Sequence, residues 1–236
     1  MSEYRNIGIV GGLGPLASAN FYLELVRATT ADSDQSHPRV VMISEPAIPS
    51  RLAHLDGAGP SPVPALADVI RSLESLGAEV IALPSITTHA YLAELRESVA
   101  TPIVDGLAAV GDALRAAGTA RVAVAMTTPA RRVGLLERGL LASGVECVKP
   151  PEREQARIQQ LVDGVKEGKP LDRLASALLE VLQGGWTDRG DGLMIGCTDI
   201  SPLAPLLPLP VHDVARIYAK AVIEAATVGG ERGSTA

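Results

Sequence analysis

Apolar and polar positions follow two different rhythms along this chain. Short apolar runs predict β-strands at residues 7–10, 39–44, 79–84, 102–104, 121–126, 145–148, 192–196 and 211–212. Between them, apolar residues recur at helical spacing and predict helices at residues 16–30, 64–76, 85–99, 106–117, 130–142, 152–168, 171–183 and 213–227. Strands that alternate with helices are typical of α/β layers built on parallel sheets, which is the fold class that we expect. The last residues, 229–236, are expected to form a frayed tail.

Strand ends recur at a near-constant distance along the sequence. Ser85 and Cys197 are 112 positions apart, and Val10 and Met126 are 116 positions apart. We interpret this as two similar α/β subdomains that face one another about a pseudo-two-fold axis, although α/β proteins also repeat their units without such a relationship. Ligands bind at the carboxyl ends of strands in such sheets, so one shared cleft is expected. The predicted first subdomain consists of residues 1–101 and 211–228, and the second of residues 102–210.

Charge and composition narrow the functional classes. The 236 residues carry a formal net charge of −6 and contain 3 % aromatic residues, so neither a general nucleic-acid-binding surface nor a base-stacking platform is expected. The two cysteines suit neither a disulfide framework nor a zinc cluster, which favours a reducing cytoplasm and predicts no metal site. We see no secretory leader and no apolar stretch of membrane-spanning length, so no membrane partner is expected.

Cys197 follows the predicted strand at 192–196 and precedes two residues that commonly begin helices. The free N–H groups and the positive dipole end of a helix N-terminus favour an anion. We therefore expect the pKa of this thiol to lie below its usual value of about 8.5. The alternative is a small buried cysteine without a catalytic role.

A glycine-rich turn at residues 11–15 follows the first strand. The spacing of Gly12, Gly14 and Ala17 fits a dinucleotide-binding fingerprint loosely. Pro15 interrupts that fingerprint, and no acidic residue ends a second strand about 20 residues further on. We therefore expect the turn to bring backbone N–H groups close to an anionic substrate.

Four motifs together resemble those of the aspartate/glutamate racemase superfamily, and they are most similar to its aspartate racemase branch. Residues 7–15 resemble the glycine-rich opening of that branch, and residues 48–51, Ile-Pro-Ser-Arg, resemble its Ile-Pro-Asp-Arg motif. Residues 84–89, Pro-Ser-Ile-Thr-Thr-His, resemble its first cysteine motif, Pro-Cys-Asn-Thr-Ala-His. Residues 196–199, Gly-Cys-Thr-Asp, resemble its second cysteine motif, Gly-Cys-Thr-Glu. Each motif is short, but four in this order and spacing are specific, and they extend over nearly the whole chain.

The resemblance implies an enzyme that needs no cofactor and binds a small carboxylate or an amino acid. In such enzymes two cysteines flank the α-carbon, and one removes a proton from one face while the other returns a proton to the opposite face. For this chain it implies Cys197 and Ser85 as the catalytic pair, and a substrate-binding set of Gly12, Gly14, Arg51, Thr87, Thr88, Thr127 and Thr198. Arg51 could bind a carboxylate through paired hydrogen bonds, or it could be a solvated loop charge.

The chain departs from the family pattern at the first cysteine motif. Ser85 stands where a cysteine is expected, and a serine hydroxyl is too weak an acid to replace a thiolate base unaided. Ile86 replaces an asparagine, which makes the expected pocket more apolar. Pro129 and Ala130 replace a Gly-Thr pair in a related segment, so part of the expected amino-acid-binding contacts differs.

Three classes of function remain open at this point. The first is an amino-acid racemase or epimerase with one cysteine and an unusual partner. The second is a decarboxylase or isomerase, similar to arylmalonate decarboxylase, in which one thiol protonates one face of an enediolate. The third is a non-catalytic carboxylate-binding relative, and a homodimer is left open in each case.

Several polar residues near the motifs have a structural interpretation beside the functional one. Ser85, Asp199 and the threonines could cap helices. His89 could polarise Ser85 from one helical turn away, but a histidine without a catalytic role is favoured. Cys147 is interpreted as structural, and His212 and Asp213 as a capping and packing element.

Overall fold

Two parallel sheets organise residues 4–228, the part of the chain that the computed structural model describes; the expected frayed tail at 229–236 lies outside these residues. The first sheet has the order β2-β1-β3, with β1 (Ile7–Gly11), β2 (Val40–Ser44) and β3 (Val80–Ala82). The second has the order β5-β4-β6-β7, with β4 (Arg121–Ala125), β5 (Glu146–Val148), β6 (Gly192–Ile195) and β7 (His212–Asp213). The α-helices are α1 (Pro15–Ala28), α2 (Arg51–Leu55), α3 (Val63–Ser75), α4 (Leu92–Ser98), α5 (Gly106–Ala116), α6 (Thr128–Val133), α7 (Leu135–Ala142), α8 (Glu152–Lys166), α9 (Leu171–Leu182) and α10 (Val214–Ala226).

Alternate residues of the central strand β4 pack against different helix layers. Val122 and Val124 belong to a buried cluster with residues of α5 and α7. Ala123 and Ala125 belong to another buried cluster, with residues of α8 and α9. Because successive strand residues point to opposite faces, this pattern covers both faces of the sheet, as parallel sheets require.

The first sheet is covered in the same way. Ile7 and Ile9 of β1 pack with residues of α1 and α10, whereas Val10 packs with residues of α3 and α4. The strand β1 pairs in parallel with β2 on one side and with β3 on the other, and Ile7 lies opposite Val40 and Val80.

Both sheets repeat one strand plan. In each, the first strand of the half is central, and the second and third strands lie on either side of it. Ser85 follows β3 and Cys197 follows β6, so the two residues occupy equivalent strand ends. The predicted fold class, two similar α/β subdomains with parallel sheets, is confirmed.

A fourth strand position in each half is followed by a helix that packs on the other half. Ile103 forms a parallel bridge to Ile81 of the first sheet, while β7 pairs with β6 of the second. The next helix in each case crosses over: α5 packs on the second sheet and α10 on the first. The helix packing agrees with the predicted division into residues 1–101 with 211–228 and residues 102–210. The strand pairing of Ile103 and of β7 does not agree with it, so the division stays a prediction.

Three predicted elements differ in detail. The helix expected at 85–99 begins as a 3₁₀-helix at Ile86–Tyr91 and becomes α4 only afterwards. The helix expected at 130–142 is divided into α6 and α7 by Gly134, whose φ of 67° lies in the left-handed region. The strand expected at 102–104 is reduced to the single bridge at Ile103. No helix within residues 4–228 is both long and apolar enough to cross a membrane.

Candidate active site

A cavity of about 260 Å³ lies between the two halves, at the carboxyl ends of their strands. This is the edge at which parallel sheets of this type bind ligands. Its polar and charged lining residues are Arg51, Ser85, Thr87, Thr127, Lys166, Cys197, Thr198 and Asp199, and Gly12 and Gly14 line it with backbone. The structure thus brings together every residue predicted for the site except Thr88.

The loop after β1 is shaped by glycine and by one buried serine. Gly12 has a φ of 91°, and a β-carbon there would lie 2.5 Å from the backbone nitrogen of Glu45, so only glycine fits. The Gly12 N–H donates to Ser18 Oγ at 3.0 Å, and this hydroxyl donates to the Gly14 carbonyl at 2.8 Å. These bonds fix the loop against the cavity.

Arg51 is the first residue of α2 and directs a half-buried guanidinium into the cavity. Its Nη2 lies 3.4 Å from the Leu13 carbonyl oxygen and 3.5 Å from Ser85 Oγ, both long contacts. Its buried Nε has no hydrogen-bond partner among the described residues. Burial lowers the pKa of Arg51, and the nearby Asp199 opposes that shift. A guanidinium with a buried donor left over is suited to a carboxylate ligand.

Tyr91 holds the segment that carries Arg51. Its hydroxyl donates to the Arg51 carbonyl at 2.9 Å and lies 3.0 Å from His54 Nδ1. At the start of α2, Ser50 Oγ accepts the Ala53 N–H at 3.2 Å, which is a helix N-cap. These bonds fix the backbone of the short helix from which the Arg51 side chain extends.

Ser85 lines the cavity with its hydroxyl. Its Oγ lies 3.0 Å from Thr87 Oγ1 and makes no capping bond to the 3₁₀-helix that follows. Thr88 points elsewhere: it is 1 % exposed, and its hydroxyl donates to the Ser85 carbonyl at 2.5 Å. Thr88 is thus placed behind Ser85 as a support.

His89 makes no contact that would polarise Ser85. Its Nδ1 accepts the Gly106 N–H at 3.3 Å, so Nε2, 3.1 Å from the Leu83 carbonyl oxygen, carries the proton and donates it. Burial lowers the pKa of His89 to about 4, which keeps the ring neutral. The favoured interpretation, a histidine without a catalytic role, agrees with these contacts.

Cys197 lines the cavity, but the expectation that its pKa lies below the usual value is wrong, because burial outweighs the backbone N–H groups of Asp199 and Ile200 that favour the anion. The residues after it form a turn and the 3₁₀-helix Ser201–Leu206, so no α-helix begins there. Burial raises the pKa of the Cys197 thiol to about 12, and the carboxylate of Asp199 adds to the effect. The thiol donates to Asp199 Oδ2 across 3.8 Å.

One further residue, Lys166, completes the charge pattern around this thiol. Lys166, the last residue of α8, places Nζ 3.2 Å from Asp199 Oδ2 and also lines the cavity. Sequence reasoning missed Lys166, since no motif surrounds it. The available signal was its place at the end of a predicted amphipathic helix, on the side where strands end.

The remaining polar residues have local roles. Thr127 lines the cavity and accepts the Ala130 N–H at 3.1 Å as the N-cap of α6. Thr198 is buried against the Cys197 turn.

Cys147 lies on β5, and burial and Glu137 raise the pKa of its thiol to about 12. Asp213 caps α10, as predicted, and accepts from Ser201 Oγ at 2.5 Å. Among residues 4–228, no cluster of three His, Cys, Asp or Glu side chains could hold a metal ion.

Comparison with known proteins identifies the family. Residues 10–222 match the sequence model of a family described as Asp/Glu/Hydantoin racemase. The broad-specificity amino-acid racemase RacX of Bacillus subtilis (strain 168) is 24 % identical over 227 residues, which cover 92 % of this chain and 96 % of the relative. An aspartate racemase from Picrophilus torridus has a TM-score of 0.81 at 25 % identity, with 94 % of each chain covered. An aspartate racemase homologue from Pyrococcus horikoshii OT3 has a TM-score of 0.77 at 21 % identity, covering 95 % of this chain and 100 % of its own. The chain belongs to the Asp/Glu/hydantoin racemase family.

Proposed function

We propose that this protein is an amino-acid racemase or epimerase that needs no cofactor and acts at the α-carbon with Cys197 as its acid/base. One observation carries the proposal: Cys197 and Ser85 end equivalent strands of the two sheets and line one cavity together with Arg51. Racemisation through a planar carbanion needs a proton donor or acceptor at each face, and a pseudo-symmetric cleft supplies two such positions.

Arg51 would bind the α-carboxylate of the substrate. Its buried Nε and its loosely bonded Nη2 offer two parallel N–H donors, which match the two carboxylate oxygens. The loop at Gly12 and Gly14 lies beside the same space. Hydrogen bonds from these donors would stabilise the negative charge of the enediolate that forms when the α-proton leaves.

Asp199 would receive the α-ammonium group and set the state of Cys197. With a pKa raised to about 12, the Cys197 thiol is protonated at neutral pH before a substrate binds, and it can donate a proton to one face. To remove a proton it must first become a thiolate. The ammonium of a bound amino acid and the nearby Lys166 would favour that anion, because opposite charges lower a thiol pKa.

A second candidate is a decarboxylase in which Cys197 protonates one face of an enediolate after carbon dioxide leaves. The observation that favours it is that, among the described residues, Cys197 is the single thiol that lines the cavity. Cys147 lies on β5 and does not line it. Such a reaction requires no partner at the position of Ser85.

Hydrogen exchange at the α-carbon distinguishes the candidates. Each enantiomer of a panel of amino acids is incubated with enzyme in deuterated water, and loss of the α-hydrogen signal is followed by NMR. We expect exchange with the wild type and a loss of at least about a thousandfold in Cys197→Ser, since the acid/base is removed. Cys147→Ser is the matched control and should exchange at the wild-type rate.

Two outcomes would contradict the racemase proposal. One is exchange in Cys197→Ser at the wild-type rate. The other is no exchange with any amino acid, together with carbon dioxide release from a 2,2-disubstituted malonate, which would establish the decarboxylase instead.

A further inference from the structure

The cavity has an apolar wall that the proposed chemistry does not use. Its members are Leu52 of α2, Ile86 after Ser85, Ala130 of α6, and Leu135 and Leu136 of α7. Side chains from both halves therefore contribute to this wall. Ile86 is 8 % exposed and Leu136 is 3 % exposed, and both belong to the buried cluster around β4, so neither can turn away to admit a polar group.

Ile86 and Leu136 lie next to the two reacting positions. Ile86 directly follows Ser85 in the sequence. Leu136 packs against the residue before Cys197, since a β-carbon on Gly196 would lie 2.8 Å from Leu136 Cδ2. A substrate whose α-carbon sits between Ser85 and Cys197 therefore presents part of its surface to this wall.

The charges that line the cavity leave one cation for one carboxylate. Lys166 is paired with Asp199 Oδ2 at 3.2 Å, and a substrate ammonium at Oδ1 of the same carboxylate would leave that pair in place. Arg51 keeps a buried Nε donor without a partner among the described residues. An acidic side chain would bring a second carboxylate, which would have to break the pair of Lys166 with Asp199 or be buried against leucine and isoleucine. Burying an unpaired charge on an apolar surface is strongly unfavourable.

We propose that the substrate is a monocarboxylic α-amino acid with an uncharged, apolar side chain, such as methionine or leucine, held with that side chain against Ile86 and Leu136. The inference rests on the proposed racemase function and names its substrate class. Arg51 takes the single carboxylate, Asp199 faces the ammonium, and the apolar wall takes the side chain.

The test compares kcat/KM for α-hydrogen exchange of methionine, aspartate and lysine in deuterated water, with each enantiomer measured separately and the faster enantiomer of each amino acid compared. We expect methionine to exceed each charged amino acid by at least about tenfold, the scale on which an apolar pocket discriminates. Ile86→Asn should lower the methionine-to-aspartate ratio, while Ile86→Val, which keeps the wall apolar, should preserve it. Thermal melting of both variants establishes whether they are folded. If Ile86→Asn does not fold, the wild-type ratio of methionine to aspartate still tests the substrate class.

The outcomes separate this inference from the function on which it rests. If aspartate or lysine exchanges as fast as methionine, the substrate class is wrong and the racemase proposal stands. If no amino acid exchanges its α-hydrogen, both are wrong. A tenfold preference for methionine that persists unchanged in Ile86→Asn would remove Ile86 from the specificity wall and overturn the inference as stated.

Discussion

One hydroxyl and one thiol stand at the two equivalent strand ends of this molecule. Ser85 and Cys197 differ by one atom in composition but by several orders of magnitude in acidity, because a serine hydroxyl ionises far less readily than a thiol. The symmetric fold therefore carries an asymmetric pair of groups. Under the proposed function, proton transfer at the Cys197 face should be fast and transfer at the Ser85 face slow.

Ser85→Cys should make the two faces alike. We expect the wild type to exchange the α-hydrogen of one enantiomer faster than it inverts that enantiomer, since protonation from the Ser85 face is slow. The variant should bring the two rates together and raise inversion by at least about tenfold. NMR in deuterated water and chiral chromatography measure the two rates on the same sample.

Ser85→Ala is the matched control, because it removes the hydroxyl and adds no thiol. It should exchange like the wild type and invert more slowly still. Equal rates of exchange and inversion for both enantiomers in the wild type would mean that a second efficient acid/base exists, and would contradict the assignment.

The residue types of the site could be predicted from the sequence, but their electrostatics could not. Ser85, Arg51 and Cys197 stand in recognisable motifs. The pKa of Cys197 depends on burial and on Asp199, and the first of these exists only after folding. Lys166 is 33 positions before Asp199 and meets it only because α8 ends at the same edge as β6.

At the scale of elements, α10 holds the segment between β3 and Ser85. Tyr218 on this helix is buried, accepts the Leu83 N–H at 2.9 Å and donates to the Val104 carbonyl at 3.0 Å. Its ring also lies edge-on to His89, with 5.4 Å between the ring centroids. One hydroxyl thus joins the end of the third strand to the segment that leads into α5.

Tyr218→Phe should destabilise the fold by about 1–3 kcal/mol, since it leaves the buried Leu83 N–H without a partner. The free energy of unfolding is measured by urea titration. Tyr22→Phe on α1 is the matched control: its side chain belongs to a residue that is 44 % exposed, so little change is expected. A loss of stability that is equal in the two variants would contradict the role given to the Tyr218 hydroxyl.

Element boundaries were harder to predict than element types. The pattern at 85–99 is helical in spacing, but the bonds of Thr88 and His89 to the preceding backbone hold its first part as a 3₁₀-helix. The packing of a helix on the opposite half could not be predicted either, because strand spacing does not show on which half the following helix packs. The exchange of α5 and α10 between the halves depends on tertiary packing, which a one-dimensional pattern does not contain.

At the scale of the whole molecule, an ion pair crosses between the halves beside the cavity. Asp56, at the end of α2, accepts from Arg132 of α6, and these two helices also supply the lining residues Arg51, Leu52 and Ala130. The Arg132 side chain is 64 % exposed, so the pair adds little to the stability of the fold. Its position favours a role in holding the two halves together around a bound substrate.

Asp56→Asn should therefore weaken substrate binding without weakening the fold. We expect KM for exchange to rise by up to about fivefold and the free energy of unfolding to change by less than about 1 kcal/mol, the range of an exposed pair. Salt should raise KM in the wild type more than in the variant, since ions screen an exposed pair more than they screen the half-buried Arg51. Asp112→Asn removes an ion pair with Arg115 on α5, away from the cavity lining, and should leave KM at the wild-type value at every ionic strength. The two arginines are similarly exposed, at 60 % for Arg115 and 64 % for Arg132, although Asp56 is less exposed than Asp112. A KM that responds to salt identically in the wild type and in Asp56→Asn would show that this pair takes no part in closing the cavity.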